Sequence, residues 1–140
     1  MPAGREDLIN DLAGLALFAD LSRPQLEAVV HILEDEYFAE GQRILRQGFS
    51  GSNLYIILSG EAAVFVNGTQ RATLGRGEFF GEISALLGEA PAADVAAQHT
   101  LRCLVMPAAD VESFLLTYPK VAFRMLQAEA RRVRSANLWR

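Results

Sequence analysis

Eight glycines between positions 41 and 81 (Gly41, Gly48, Gly51, Gly60, Gly68, Gly75, Gly77 and Gly81) cut the middle of the chain into short runs. Few of those runs can hold a helix of ordinary length, and several are apolar or alternating, which is the pattern of short strands joined by tight turns. Residues 54–58 (Leu-Tyr-Ile-Ile-Leu) are rich in β-branched and aromatic side chains, and 62–66 form a second such run. Asn67-Gly68 directly behind it predicts a hairpin, because both central turn positions need positive φ. Phe79-Phe80 reads as a strand end, and 95–97 with 101–105 make a later pair of strands.

The flanks carry a different period. Leu8, Ile9, Leu12, Leu15 and Ala16 recur at helical spacing and predict a first helix over 6–17. Ser22-Arg23-Pro24-Gln25 supplies a cap, a first-turn proline and a capping-box glutamine, so a second helix begins there and buries Leu26, Val29, Val30 and Leu33. Pro107, Asp110 and Glu112 open a helix that ends near Tyr118-Pro119. The last helix, over 121–136, is read as amphipathic, with Ala122, Met125, Leu126, Val133 and Ala136 on one side and Lys120, Arg124, Arg131 and Arg134 on the other. The expected fold is mainly β with flanking helices: a double-stranded β-helix of jelly-roll type, or β-roll, with N-terminal helices at 1–34, the roll at 35–106 and C-terminal helices at 107–140.

Composition narrows the function. A chain of 140 residues that is 51% hydrophobic and 21% charged makes one packed domain and is not generally disordered. No apolar run is long enough to cross a bilayer, and Glu6, Asp7 and Asp11 stand where a signal peptide needs positive charge. A single cysteine, Cys103, excludes an internal disulfide framework and a thiolate metal cluster. The net charge of −4 provides no global attraction to nucleic acid or anionic lipid. A cytoplasmic location is expected.

The stretch 79–88 (Phe-Phe-Gly-Glu-Ile-Ser-Ala-Leu-Leu-Gly) reads as a strand end, a glycine and one or two turns of helix. Two readings of it are open. In one, Gly81 lets a ligand approach the backbone, the amides of Glu82, Ile83 and Ser84 face an anion, and the Glu82 carboxylate accepts from sugar hydroxyls. In the other it is a capped turn in which Glu82 only complements the helix dipole.

The wider order of residues bears on that choice. Phe18-Ala19-Asp20-Leu21-Ser22 before a helix, then Tyr37, Gly41, Ile44, Gln47-Gly48, Leu54-Tyr55-Ile56-Ile57, Gly60, Gly77 and Phe80-Gly81-Glu82-Ile83, resembles the cyclic nucleotide-binding domain family over about 15–126. The resemblance implies a single domain of this type across 1–140: an eight-stranded β-roll with a phosphate-binding cassette at 80–95 and terminal helices that move when ligand fills it. It implies a ligand that is cyclic AMP or cyclic GMP; no clustered histidines and no Ser–His–Asp or Cys–His set accompany it, so no enzymatic activity, no cofactor and no metal are expected. Gly81 and Glu82 match the pair whose backbone binds the cyclic phosphate and whose carboxylate binds the ribose 2′-hydroxyl. Phe80 precedes that pair, and Ile83 and Ser84 fall in the cassette helix whose amides point at the phosphate.

The cassette also departs from the family pattern. Counting from Glu82, the slot of the phosphate-binding arginine falls on Pro91 and the slot of a threonine or serine on Asp94; aligning the proline instead puts Ala92 in the arginine slot. Either way the arginine is absent. Losing one charge-assisted hydrogen bond costs about 1.5–3 kcal/mol, and a carboxylate facing a phosphate adds repulsion of up to about 4 kcal/mol at an effective dielectric near 20. At about 1.4 kcal/mol per decade, binding is expected to be weakened by about two to five decades if Asp94 points inward. The alternative is a degenerate domain that binds no nucleotide and serves protein–protein contact or oligomerisation.

Other features are weaker signals. Arg71, Arg76 and Arg102 are candidates for a substitute cation. His31 and His99 lack an acidic partner at metal-ligand spacing, and Pro2 alone is poor support for a haem ligand. Arg131, Arg132, Arg134 and Arg140 read as a solvated basic helix face rather than a nucleic-acid surface. DNA-binding relatives append a helix-turn-helix after this helix, and none is expected here, although a chain ending inside a helix also fits a piece of a longer protein. Leu138 and Trp139 are candidates for a lid or a subunit contact. Met125, Leu126 and Val133 would serve helix pairing into a homodimer.

Overall fold

The computed structural model describes residues 4–49 and 52–137. Helix α1 (Arg5–Ala13) and a 3₁₀ turn (Ala16–Phe18) replace the continuous first helix expected over 6–17. The chain breaks at Gly14, where a side chain would press on the Arg76 guanidinium, and Leu15 and Phe18 are thereby turned into the core. Helix α2 (Arg23–Val30) starts as predicted: Ser22 Oγ accepts from Gln25 N and Gln25 Oε1 accepts from Ser22 N, both halves of the capping box.

Strands β1 (Glu34–Phe38), β2 (Arg43–Leu45), β3 (Leu54–Ser59), β4 (Ala62–Val66), β5 (Thr69–Leu74) and β6 (Phe79–Phe80) follow, then the short helix α3 (Glu82–Leu87), β7 (Asp94–Ala97) and β8 (Leu101–Met106). The strands make two antiparallel sheets, ordered β1-β8-β3-β6 and β2-β7-β4-β5. No strand pairing joins one sheet to the other among the described residues, so the roll is two facing sheets and not a closed barrel. The β4–β5 hairpin turns at Asn67 (φ 50°) and Gly68 (φ 80°), as the dipeptide predicted.

Side-chain parity assigns each face. In β3, Leu54, Ile56 and Leu58 join a core shared with Ile9, Leu12, Phe18 and Val29 of the N-terminal segment, while Ile57 points between the sheets. In β8, Leu104 and Met106 take the helix side and Leu101, Cys103 and Val105 the inner side. Both strands are covered on both faces, which is why they read as near-continuous apolar runs. Each such side chain contributes about 1.5–3 kcal/mol by leaving water. Burial, and secondarily the charge of Glu36, pushes the Cys103 thiol up to about 12, so it stays protonated and packs as a small apolar group.

Helix α4 (Ala108–Thr117) follows Pro107, which has no side-chain donor or acceptor for capping. Asn53 Oδ1 accepts instead from Ala108 N at 3.1 Å, tying α4 to the segment that precedes β3. Helix α5 (Pro119–Asn137) then crosses back over the roll. Arg124 Nε and Nη2 donate to Asp20 Oδ2 and Oδ1 at 2.5 and 3.2 Å, pinning the first half of α5 to the turn before α2. The Arg124 hydrogen bond also lowers the Asp20 carboxyl below its ordinary value.

The single apolar side expected for the last helix is in fact two. Val121 and Met125 are buried against the helix-side core and Ala128 packs on it. Leu126 and Val133, assigned to the same side, are 63% and 59% exposed, together with Phe123 at 59%. The residue behind Ala128 on the inward face is Arg132.

Candidate functional site

The roll, α3 and α5 enclose a cleft of about 1100 Å³. Its floor is Leu45, Leu74, Phe79, Phe80 and Val95, its corner is residues 81–84, and α5 covers it with Ala128, Arg131, Arg132, Ser135 and Ala136. Two features of the sequence make the corner. Gly81 caps α3 at φ +83°, a left-handed conformation that side chains disfavour, and an added Cβ would lie against the Asn53 carbonyl oxygen. The flanking Phe80 ring stacks on Tyr55, with centroids 4.8 Å apart and planes 3° apart.

Ser52 and Ser84 hold the corner in place. Ser52 N donates to Ser84 Oγ at 3.0 Å, Ser52 Oγ donates to the Gly81 carbonyl at 3.1 Å, and Ser84 Oγ donates to the Glu89 carbonyl. The Ser84 side chain is thus a staple for the loop, and Gly81, the residue at the start of α3, supplies no side-chain cap. Glu82, Ile83 and Ser84, the first turn of α3, all line the cleft.

Glu82 is 4% exposed. Its Oε2 accepts from Arg132 Nη1 at 3.1 Å, and the same nitrogen donates to Glu129 Oε1 at 2.9 Å. Arg132 Nη2 donates to the Phe79 carbonyl at 2.6 Å, and its guanidinium carbon lies 4.5 Å from the Phe79 ring centroid. Burial first, then the hydrogen bond and charge of Glu129, raise the Glu82 carboxyl to about 7, with Arg132 pulling the other way. The folded chain therefore binds that proton more tightly than the unfolded one. Its contribution to stability is complete below the ordinary glutamate range and is lost as pH rises through about 7.

Of the residues singled out from sequence, Phe80, Gly81, Glu82, Ile83, Ser84, Pro91 and Ala92 all line this cleft. Asp94 does not. Its Oδ1 accepts from Gln47 N at 2.7 Å, so the carboxylate anchors the loop after β2, and the inward orientation assumed for it is corrected. Strand alternation is the reason: Val95 is the inward residue of β7, which turns Asp94 away.

Among the candidate cations, Arg71 lines the cleft. Arg76 donates to the Leu58 carbonyl at 2.8 Å, and Arg102 is held by Asp35 at 2.9 Å and Asp11 at 3.5 Å. His31 and His99 are exposed. No cluster of three metal-ligating side chains occurs among the described residues. Pro2, Leu138, Trp139 and Arg140 lie outside the described residues.

Arg132 is the cleft residue that sequence reasoning missed, having been read as part of a solvated face. A signal was present. Val121, Met125, Ala128 and Arg132 follow one another at spacings of four, three and four, a helical stripe that runs from the core straight to the cleft.

An open roll of two antiparallel sheets, with a left-handed glycine corner, a buried acid and a helix laid over the cleft between them, defines a small-ligand-binding domain. The family model of the cyclic nucleotide-binding domain matches residues 35–118. The chain is 40% identical over 100 residues to the cAMP-dependent protein kinase regulatory subunit of Mucor circinelloides, covering 68% of this chain and 23% of that protein. The crystal structure of the Thermus thermophilus catabolite activator protein superposes with a TM-score of 0.76 at 30% identity, covering 87% of this chain and 60% of that one. The regulatory subunit of a cAMP-independent protein kinase A from Trypanosoma brucei gives 0.79 at 25% identity, covering 90% and 46%. The chain belongs to the cyclic nucleotide-binding domain family, a family of regulatory and not of catalytic domains. It spans only 12% and 23% of the length of the first two curated relatives it matches. No helix among the described residues is long and apolar enough to cross a membrane.

Proposed function

We propose that this chain is a sensor module that takes cyclic AMP or cyclic GMP into the cleft beneath α5. The backbone of 81–84 meets the cyclic phosphate, the Glu82 carboxylate accepts from the ribose 2′-hydroxyl, and Pro91 and Ala92 form the wall where relatives place an arginine. The observation that carries this reading is Glu82 itself: a carboxylate buried to 4% exposure that faces an open cleft and is held by a side chain of the covering helix. A ligand hydroxyl arriving at Glu82 competes with Arg132, so occupancy changes what holds α5 down. That is the differential affinity that a two-state regulatory domain requires.

The missing cassette arginine favours weak binding, with a Kd in the range from about micromolar to millimolar. Calorimetric titration with cyclic AMP and cyclic GMP tests this. Saturable heat with either nucleotide supports the reading. No heat at about 1 mM ligand overturns it and favours a degenerate domain used for protein contact.

We assign the outer face of α5 to a second copy of the same chain. Phe123, Leu126, Ala130 and Val133 succeed one another at three, four and three residues and are exposed. That spacing is the seam of a two-stranded helical pair, which is self-complementary about a two-fold axis. Sedimentation should show a concentration-dependent dimer that Leu126→Glu turns into monomer. A wild-type chain that stays monomeric at all concentrations overturns the assignment.

A further inference from the structure

Arg132 serves two carboxylates with one nitrogen. Nη1 donates both to Glu82 Oε2 (3.1 Å) and to Glu129 Oε1 (2.9 Å), while Nη2 is occupied by the Phe79 carbonyl (2.6 Å). With both acids ionised, one positive charge faces two negative ones. The uncompensated charge then sits beside a Glu82 side chain that is 5% exposed, where an unpaired charge is costly. A proton on the buried acid removes it, and two carboxyls this close titrate as a unit.

The other charged groups lining the cleft among the described residues are Arg71, Glu78 and Arg131. Glu78 is turned to the Gly75 N–H at 2.9 Å. Tyr55, which packs on Gly81 from β3, has its phenol pushed up by burial and stays neutral. Glu129 is thus the acid that contends with Glu82 for a cation.

We infer that Glu129 is a positioning residue of the ligand site: by sharing Arg132 with Glu82 it couples occupation of the cleft to a proton held by the two carboxyls. The coupling to ligand rests on the nucleotide reading above, whereas the shared proton requires no ligand. A ligand hydroxyl that donates to Glu82 bonds more strongly to the ionised carboxylate than to the protonated acid, whose carbonyl oxygen is a weaker acceptor. Where Glu82 is protonated, binding therefore sends that proton to solvent and weakens by up to about tenfold for each pH unit of acidification. Glu129→Gln keeps an oxygen that can accept from Arg132 but removes the contending charge, so Glu82 should hold its proton less tightly. Glu129→Asp keeps the charge.

The test follows the carboxyl carbons of the whole chain by NMR from about pH 4 to about pH 9, in wild type, Glu129→Gln and Glu129→Asp, beside cyclic AMP titrations at about pH 6 and about pH 8. Glu82 should titrate with a midpoint at about 7 in wild type. The midpoint should be lower by about one pH unit in Glu129→Gln and partly restored in Glu129→Asp. Cyclic AMP should bind the wild type more weakly at the lower pH, and Glu129→Gln should narrow the gap. A wild-type midpoint in the ordinary glutamate range, or one that Glu129→Gln leaves in place, overturns the inference without any ligand present. If the midpoint moves as expected but no cyclic AMP binds at either pH, the nucleotide reading fails and the shared proton stands. Binding that is independent of pH while Glu82 titrates overturns the coupling.

Discussion

Replacing Pro91 by arginine should strengthen cyclic AMP binding by about ten- to a hundredfold, measured by calorimetry on wild type and variant side by side. Pro91 is buried, lines the cleft, and has its carbonyl fixed by the Gly48 N–H at 2.9 Å, so the variant side chain starts from an anchored backbone inside the site. A guanidinium there adds a charge-assisted hydrogen bond to the phosphate, about 1.5–3 kcal/mol, or about one to two decades in Kd. The position of Asp94 lowers the deficit estimated from sequence. Its carboxylate is engaged by Gln47 N and does not line the cleft, so the repulsion of up to about 4 kcal/mol drops out. Accordingly, adding Asp94→Thr to Pro91→Arg should give no further gain and should destabilise the loop after β2. A double variant that far exceeds the single one means that Asp94 does reach the ligand. An unchanged affinity in Pro91→Arg, with Ala92→Arg effective, means that the cassette register is shifted by one.

Gly81→Ala should be among the most damaging single substitutions in the chain. It forces a side chain into φ +83°, which costs about 1–2 kcal/mol, and drives its Cβ onto the Asn53 carbonyl, with Ser52 Oγ at 3.0 Å and Tyr55 Cδ2 at 3.2 Å. Those neighbours are backbone and packed side chains that cannot give way cheaply, so overpacking adds about 1–3 kcal/mol more. Gly77→Ala is the matched control. It has the same hand (φ +85°), but the nearest neighbour of its Cβ among the described residues would be Leu15 Cδ2 at 3.7 Å, ordinary contact. Urea denaturation should show a loss for Gly81→Ala of about twice that for Gly77→Ala or more, with ligand binding lost in the first variant and kept in the second. Equal losses would mean that backbone conformation alone, without close approach, explains the glycine at the corner.

Much of the architecture was legible because local rules and tertiary environment agreed. The Ser22–Gln25 capping box, the Asn67-Gly68 turn and the doubly apolar runs of β3 and β8 all formed as read. Strand β1 escaped because it is an edge strand that begins Glu-Asp-Glu, and its middle acid is held through charge: Asp35 accepts from Arg102 Nε and Nη2 on β8 at 2.9 Å each. An ion pair across strands leaves no apolar period to detect.

Glycine spacing and hydrophobic period determined the class of fold, since both depend on which backbone conformations and which alternations a residue type permits; residues 79–88 alone left two readings open, and the ligand corner was assigned by the resemblance to the cyclic nucleotide-binding domain family. The direction of each side chain around that corner depended on the packed structure. Asp94 turns outward because its neighbour Val95 takes the inner face, and Arg132 turns inward because Val121 and Met125 bury the same face of α5. Such choices are made between segments distant in sequence, where burial of one side chain sets the rotation of a whole strand or helix, and no window of local sequence contains both partners.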